Sequence, residues 1–171
     1  MANAPDWIEI FKIQQLIYRY FDSVNRGDFA TMRTLFADDA VWEEPLFGLR
    51  QESADGFVEF FRNATSTAEL LIITPHCPAI RILSANAAQA TTTLHEFTRG
   101  AAFEDGSFGP EGGEVNFQHI GIYYDDISLI DGSWKFIHRL VVPIYLESGA
   151  VTGEVVATRE SLLDPRTTKP L

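Results

Sequence analysis

Apolar residues at Ile10, Ile13, Ile17, Phe21 and Val24 recur at three- and four-residue intervals, while Lys12, Arg19, Ser23 and Arg26 fall on the opposite side. This spacing predicts an amphipathic helix. Asp6, followed by Glu9 and preceded by Pro5, has the form of an N-terminal cap with its partner, and Gly27 stops the helix after Arg26. Asp28 can cap a second, short helix, "FATMRTLF", and "DDAVWEEP" then reads as a turn into a strand that Pro45 ends. Ser53 to Asn63 predicts a third helix with Phe57, Val58, Phe60 and Phe61 on its buried side.

From there the pattern changes to strands. "ELLIITPHCPAIRIL", "AQATTTLHEFTRGAAFE", "EVNFQHIGIYYDDISLI" and "SWKFIHRLVVPIYLE" are rich in β-branched and aromatic residues, joined by the turn chemistry of "SANA", "EDGSFGPEGG" and "IDGS". Helices first and a meander of long strands afterwards predict an α+β fold, with three N-terminal helices packed on one face of a curved, mostly antiparallel sheet. The strands follow one another too closely for crossover helices. One domain is expected over residues 1–150, with a C-terminal tail, 151–171, able to pack on a partner subunit.

Polar residues interrupting the first helix matter more than its cap. At about 100° per residue, Asn25 lies roughly 60° from Ile10 and Asp22 roughly 120°. Asn25 is therefore the inward-leaning group, beside Phe21, Gln14 and Tyr18, and Asp22 belongs to the wet flank.

Charge narrows the function. With 13 Lys and Arg against 24 Asp and Glu, the net charge of −11 repels phosphate backbones and anionic membranes, so neither nucleic acid nor a membrane is an expected partner. The single Cys77 fits a reducing compartment, and the start "MANAPDWIEI" is unlike a signal peptide; the expected location is cytoplasmic. Phe alone contributes 13 residues, enough for a core that also lines an apolar pocket.

Three segments, "IQQLIYRYFDSVNRGDFATMRTLFADDAVWEEP", "TPHC" and "GIYYDDISLIDGSWKFIHR", together resemble the SnoaL-like branch of the nuclear transport factor 2-like superfamily over residues 8 to 145. The resemblance implies a cone-shaped α+β barrel, a strongly bent sheet wrapped on helices around a deep apolar cavity, in a homodimer or higher homo-oligomer. It also implies relatives as different as scytalone dehydratase, hexachlorocyclohexane dehydrochlorinase, ketosteroid isomerases, polyketide cyclases and small subunits of aromatic-ring dioxygenases. A shared fold leaves the reaction open.

Within the dehydratase and dehydrochlorinase group, the resemblance places an active-site His at His76 and an active-site Asp where this chain has Asn25. His76 is thus the expected catalytic base and Asn25 its polar partner. An amide can orient an imidazole but cannot supply the charge that stabilises an imidazolium; in serine-protease triads the Asp-to-Asn exchange lowers turnover about 10⁴-fold. Another carboxylate would restore the pair, with Glu43, Glu44 and Asp22 as candidates and Glu96 as a more remote one. Alternatively the amide stabilises a substrate oxygen.

Tyr18, Phe21, Trp42 and Tyr123 are expected to line the substrate pocket, as are His95 and His119, although the alternation of their strands leaves the facing of these two histidines open. His138 reads as a packing or hydrogen-bonding residue. Four His and one Cys without ligand spacing give no metal site, and no cofactor is expected. The first functional reading is a cofactor-independent lyase or isomerase, of dehydratase or cyclase type, on a small apolar cyclic or polyketide-like molecule. The alternatives are a noncatalytic ligand-binding or dimerising module and a dioxygenase small subunit.

Overall fold

The computed structural model describes residues 6–101 and 114–155. Helix α1 spans Asp6–Arg26, α2 Phe29–Thr34 and α3 Ala54–Ala64. Strands β1 (Phe36–Glu44), β2 (Leu49–Gln51), β3 (Ala68–Pro75), β4 (Ala79–Ser84), β5 (Ala87–Ala101), β6 (Glu114–Ile130) and β7 (Ser133–Ser148) form one sheet.

Local chemistry accounts for the ends of the short helices. The Asp28 carboxylate accepts from the Thr31 amide, and the Ser53 hydroxyl accepts from the Gly56 amide, each satisfying a first-turn donor. The expected cap at Asp6 lies outside the described side chains. Glu9 instead accepts from the Trp134 indole at 2.7 Å and from Lys12 at 2.8 Å, tying the start of α1 to the β6–β7 hairpin.

Burial of α1 begins at Ile13 and continues through Leu16, Ile17, Tyr20, Phe21 and Val24, whereas Trp7, Ile10 and Phe11 stay exposed. Periodicity gave the direction of the stripe; it carries no information about where the sheet beneath the helix ends. "ELLIITPHCPAIRIL" divides at its two prolines into β3 and β4, since neither Pro75 nor Pro78 has an amide to donate to a ladder. The three-residue β2, absent from the sequence pattern, pairs with the end of β1 across a 3₁₀ turn closed by Gly48 at φ 67°.

Strand order is β2-β1-β7-β6-β5-β3, with β4 on the remaining length of β5. All pairs are antiparallel except β1 with β7, which is parallel. The sheet is curved but not closed, and its concave face packs on α1 and α3. The first residues of the expected tail fold back on it, because Asn116 holds both the amide and the carbonyl of Val151. The rest of that tail, from residue 156, lies outside the described residues.

One buried pair sits at the middle of this sheet. Arg139 on β7 and Asp125 on β6 are register partners, both side chains are fully buried, and two hydrogen bonds of 2.6 and 3.0 Å join them. The guanidinium carbon lies 4.0 Å from the Tyr20 ring centre and 4.3 Å from those of Tyr123 and Phe136. Burial alone would lower the Arg139 pKa; the facing Asp125 outweighs that and holds it above its ordinary value. Asp125→Ala is expected to destabilise the fold by about 3–5 kcal/mol, because it leaves an unpaired buried cation. Urea unfolding checks this, and a loss below about 1 kcal/mol would show that the pair does not hold the sheet.

Candidate active site

Strand parity decides which polar groups meet. On β6 the concave face carries His119, Gly121, Tyr123 and Asp125; on β5 it carries Thr92, Leu94 and Glu96; on β1 it carries Trp42 and Glu44. Glu96 and His119 are direct cross-strand partners, and His119 Nδ1 faces Glu96 Oε2 at 3.4 Å. Glu96 is held in turn by the Thr98 hydroxyl, which donates to its other oxygen at 2.7 Å.

His119 is 5% exposed, and its Nε2 has no hydrogen-bond partner among the described residues. A Cβ built on Gly121 would stand 2.8 Å from that nitrogen, so the imidazole lies over the glycine and points along the strand toward Tyr123. Only a residue without a side chain leaves room for it. A carboxylate behind Nδ1 favours the proton there and leaves the Nε2 lone pair directed into the interior.

Glu44 lies on the same face, at the end of β1. It lies one position beyond the Glu43↔Leu140 pair, level with Val141, whose partner on β6 is Tyr123. It is 8% exposed and accepts no hydrogen bond from a described residue. Burial raises its carboxyl to about 7, an effect that His119 opposes and Glu96 reinforces. Near neutral pH the cluster thus holds, on the same face as Glu96 and His119, a carboxyl group poised between its two forms.

Around them, Phe21 stacks on Tyr123 with ring centres 5.8 Å apart, and Trp42 stacks on Phe57 at 5.3 Å. Burial raises the Tyr123 hydroxyl well above its ordinary value. The indole NH of Trp42 and the hydroxyl of Thr92 are buried without partners among the described residues. Unpaired buried polar atoms of this kind are rare in a finished core and common where a ligand completes the set.

The residues expected from sequence separate into two groups. His119, Phe21, Trp42 and Tyr123 converge on the concave face. His95 does not: it shares the opposite face with Gln118, 2.7 Å away, because it is displaced by one residue from the inward-facing Glu96. Tyr18 is half-buried on the flank of α1 and accepts from Gln14 at 3.0 Å.

Asn25 leans inward but is occupied. Its amide nitrogen donates to the Ile73 carbonyl at 3.0 Å and its oxygen accepts from the Ile73 amide at 2.8 Å, so it completes the edge of β3 as a neighbouring strand would. His76 follows β3, with an exposed side chain and a backbone amide bonded to Thr93. No hydrogen bond joins it to Asn25. The carboxylates sought for His76 are placed elsewhere: Glu96 faces His119, Glu44 is buried at the end of β1 within electrostatic reach of His119, Glu43 bonds His138 at 2.8 Å on the outer face, and Asp22 pairs with Arg26. Sequence reasoning missed Tyr20, Asp125 and Arg139; nothing in "YYDDIS" shows which Asp faces inward. Among the described residues no group of His, Cys, Asp and Glu is arranged to hold a metal ion.

Helices on the concave face of an open, mostly antiparallel sheet define the nuclear transport factor 2-like cone fold. The chain matches the SnoaL-like domain over residues 9–140, and it belongs to that family. A hexachlorocyclohexane dehydrochlorinase, LinA type 2, superposes with a TM-score of 0.74 at 15% identity, covering 90% of this chain and 97% of the other. The LinA-type3 dehydrochlorinase of Novosphingobium barchaimii LL02 gives 0.71 at 16% identity, with 90% and 99% covered. A scytalone dehydratase candidate from Novosphingobium aromaticivorans DSM 12444 gives 0.69 at 16% identity, with 90% and 93% covered. Identities this low show a common fold and no more. No curated protein matches the sequence.

The raised Glu44 carboxyl has a consequence for stability. The folded state binds this proton more tightly than the unfolded chain, so its contribution is complete below about pH 4.5 and is lost as pH rises through about 7. Compared with Glu44→Gln, the protein is expected to lose roughly 3 kcal/mol between pH 4.5 and 8. Urea unfolding of both proteins across that range checks this; parallel pH profiles would show that Glu44 is ionised as freely folded as unfolded.

Proposed function

We propose that this SnoaL-like protein is a cofactor-independent lyase or isomerase that removes a proton from a small, largely apolar, cyclic or polyketide-like molecule, with His119 as the base and Glu96 as its orienting carboxylate. The observation that carries the reading is the buried Nε2 of His119, unpartnered, with a carboxylate behind the other ring nitrogen. Proton abstraction requires a base held within reach of a C–H bond and a neighbour that stabilises the cation formed. Glu96 supplies that neighbour. The exposed His76, beside an amide already bonded to backbone, has neither feature.

The aromatic walls supplied by Phe21, Tyr123 and Trp42 suit a flat or cyclic apolar substrate. Structural neighbours named as dehydrochlorinases support elimination as a chemistry this fold can hold. Assembly into a homodimer or higher homo-oligomer belongs to the same proposal, since Tyr124, Val142 and Tyr145 leave an exposed apolar strip on β6 and β7. For location, the structure contributes only that no helix among the described residues is long and apolar enough to cross a membrane.

Deuterium exchange at the α-carbons of 2-tetralone, followed by proton NMR in D₂O, tests the base without requiring the true substrate. The wild type is expected to accelerate exchange, His119→Gln to lower the rate by about 10²–10⁴-fold, and His76→Ala to leave it near wild type. Full activity in His119→Gln, or a loss confined to His76→Ala, would contradict the assignment.

A further inference from the structure

A second polar array crosses the opposite, convex face of the sheet. Arg81 on β4 donates to Gln89 on β5, Gln89 donates to Asp126 on β6 at 2.8 Å, and Asp126 stands 3.6 Å from Nδ1 of His138 on β7. Nε2 of the same imidazole bonds Glu43 on β1 at 2.8 Å, and Glu43 accepts from Arg50 on β2, which also pairs with Glu52. Within this array His138 is the link that touches two carboxylates, and it lies at the weakest join of the sheet. The β1–β7 pairing is parallel and its register shifts after Phe36, so that Val41, Trp42 and Glu43 alone hold the far end of β1 to β7. These residues alternate between faces: Glu43 lies outside with His138, while Trp42 and Glu44 are buried on the concave side.

We propose that His138 is a pH-dependent clasp of this seam and, through β1, a positioning residue for Trp42 on the concave face: with a proton on each ring nitrogen it ties β1 to β6 across β7, and with one proton it makes half of that tie. A neutral imidazole has a single N–H. When that proton sits on Nε2, toward Glu43, the lone pair of Nδ1 faces the Asp126 carboxylate, acceptor against anion. A second proton turns both nitrogens into donors, one for each carboxylate. The clasp operates whichever group abstracts a proton in the chamber.

The groups around the imidazole fit that role. From β1 comes Glu43, whose carboxyl is held below its ordinary value chiefly by the bond from His138, with Arg50 adding to it, so this partner stays ionised while the imidazole changes charge. Arg50 and Glu52 lie behind it on the β2 side. From β6 come Asp126, opposite His138 in the register, and Asp125, which is engaged by the neighbouring Arg139 through two hydrogen bonds. Gln89 on β5 steadies Asp126 and is itself held by Arg81 on β4. The His138 side chain is 34% exposed, so the tie is graded and weakens with salt.

Amide hydrogen exchange measured by NMR, with each rate divided by that of an unstructured peptide at the same pH, reads the seam. The parent protein carries Glu44→Gln, so that the Glu44 proton does not contribute. Between pH 8 and 5.5 at low salt, protection at positions 41–43 is expected to rise about threefold to fivefold relative to positions 92–94 of β5. Adding His138→Gln, or Glu43→Gln in its place, is expected to make that ratio independent of pH. The concave side is read by ¹⁹F NMR of the protein labelled with 5-fluorotryptophan: the Trp42 signal should move with pH in step with the ratio, and stay fixed in His138→Gln. A constant ratio in the parent, a rise that persists in His138→Gln, or a rise shared equally by positions 92–94 would overturn the clasp. A seam that responds while the Trp42 signal does not would overturn the positioning role.

Discussion

Arg139 is a permanent positive charge enclosed by aromatic rings, and it is tolerated because Asp125 meets it with two hydrogen bonds directly across the strand pair. The consequence reaches beyond stability. A slip of β6 by one residue against β7 would exchange the two faces of β6, turning Asp125 and His119 together toward water and leaving Arg139 unpaired inside. His119 lies on the same strand and the same face as Asp125, six residues away, so the ion pair that fixes the register also determines that His119 looks inward. Register between β5 and β6 then sets Glu96 opposite His119. The polar centre is thereby a product of sheet pairing, with no loop required to assemble it.

Helix α1 secures the same region by a different route. The edge strand β3 is the neighbour of β5 that carries Ile73 opposite Glu96, and Asn25 grips both backbone groups of Ile73. An amide suits this position because it offers one donor and one acceptor at once; a carboxylate would set a negative oxygen against the Ile73 carbonyl. Asn25 thus acts as a structural clamp on β3, and in the proposed reading the carboxylate that orients the histidine is Glu96, directly across from His119.

The architecture was readable because its signals are local: helical spacing from Ile13 to Val24, a capping residue at Asp28, and turn residues between long β-branched runs. The inward lean of Asn25 also followed from periodicity. What could not be read was strand parity. "TTTLHEFT" and "NFQHIGIYYDD" carry polar residues on both faces, so neither the outward His95 nor the inward Glu96, His119 and Asp125 is distinguishable without the pairing. Glu44 and Glu96 were recognisable as available carboxylates; the histidine they serve was not, since that depends on contacts between strands distant in sequence.

A carboxylate on one imidazole nitrogen and a buried, unpartnered nitrogen on the other is the feature on which the chemistry turns. The most direct measurement is a ¹⁵N NMR assignment of the His119 ring tautomer in the intact protein near neutral pH. The proton is predicted on Nδ1, facing Glu96, with Nε2 unprotonated, and Glu96→Gln is predicted to weaken that preference. A His119 ring protonated on Nε2 alone, or indifferent to Glu96, would contradict the account.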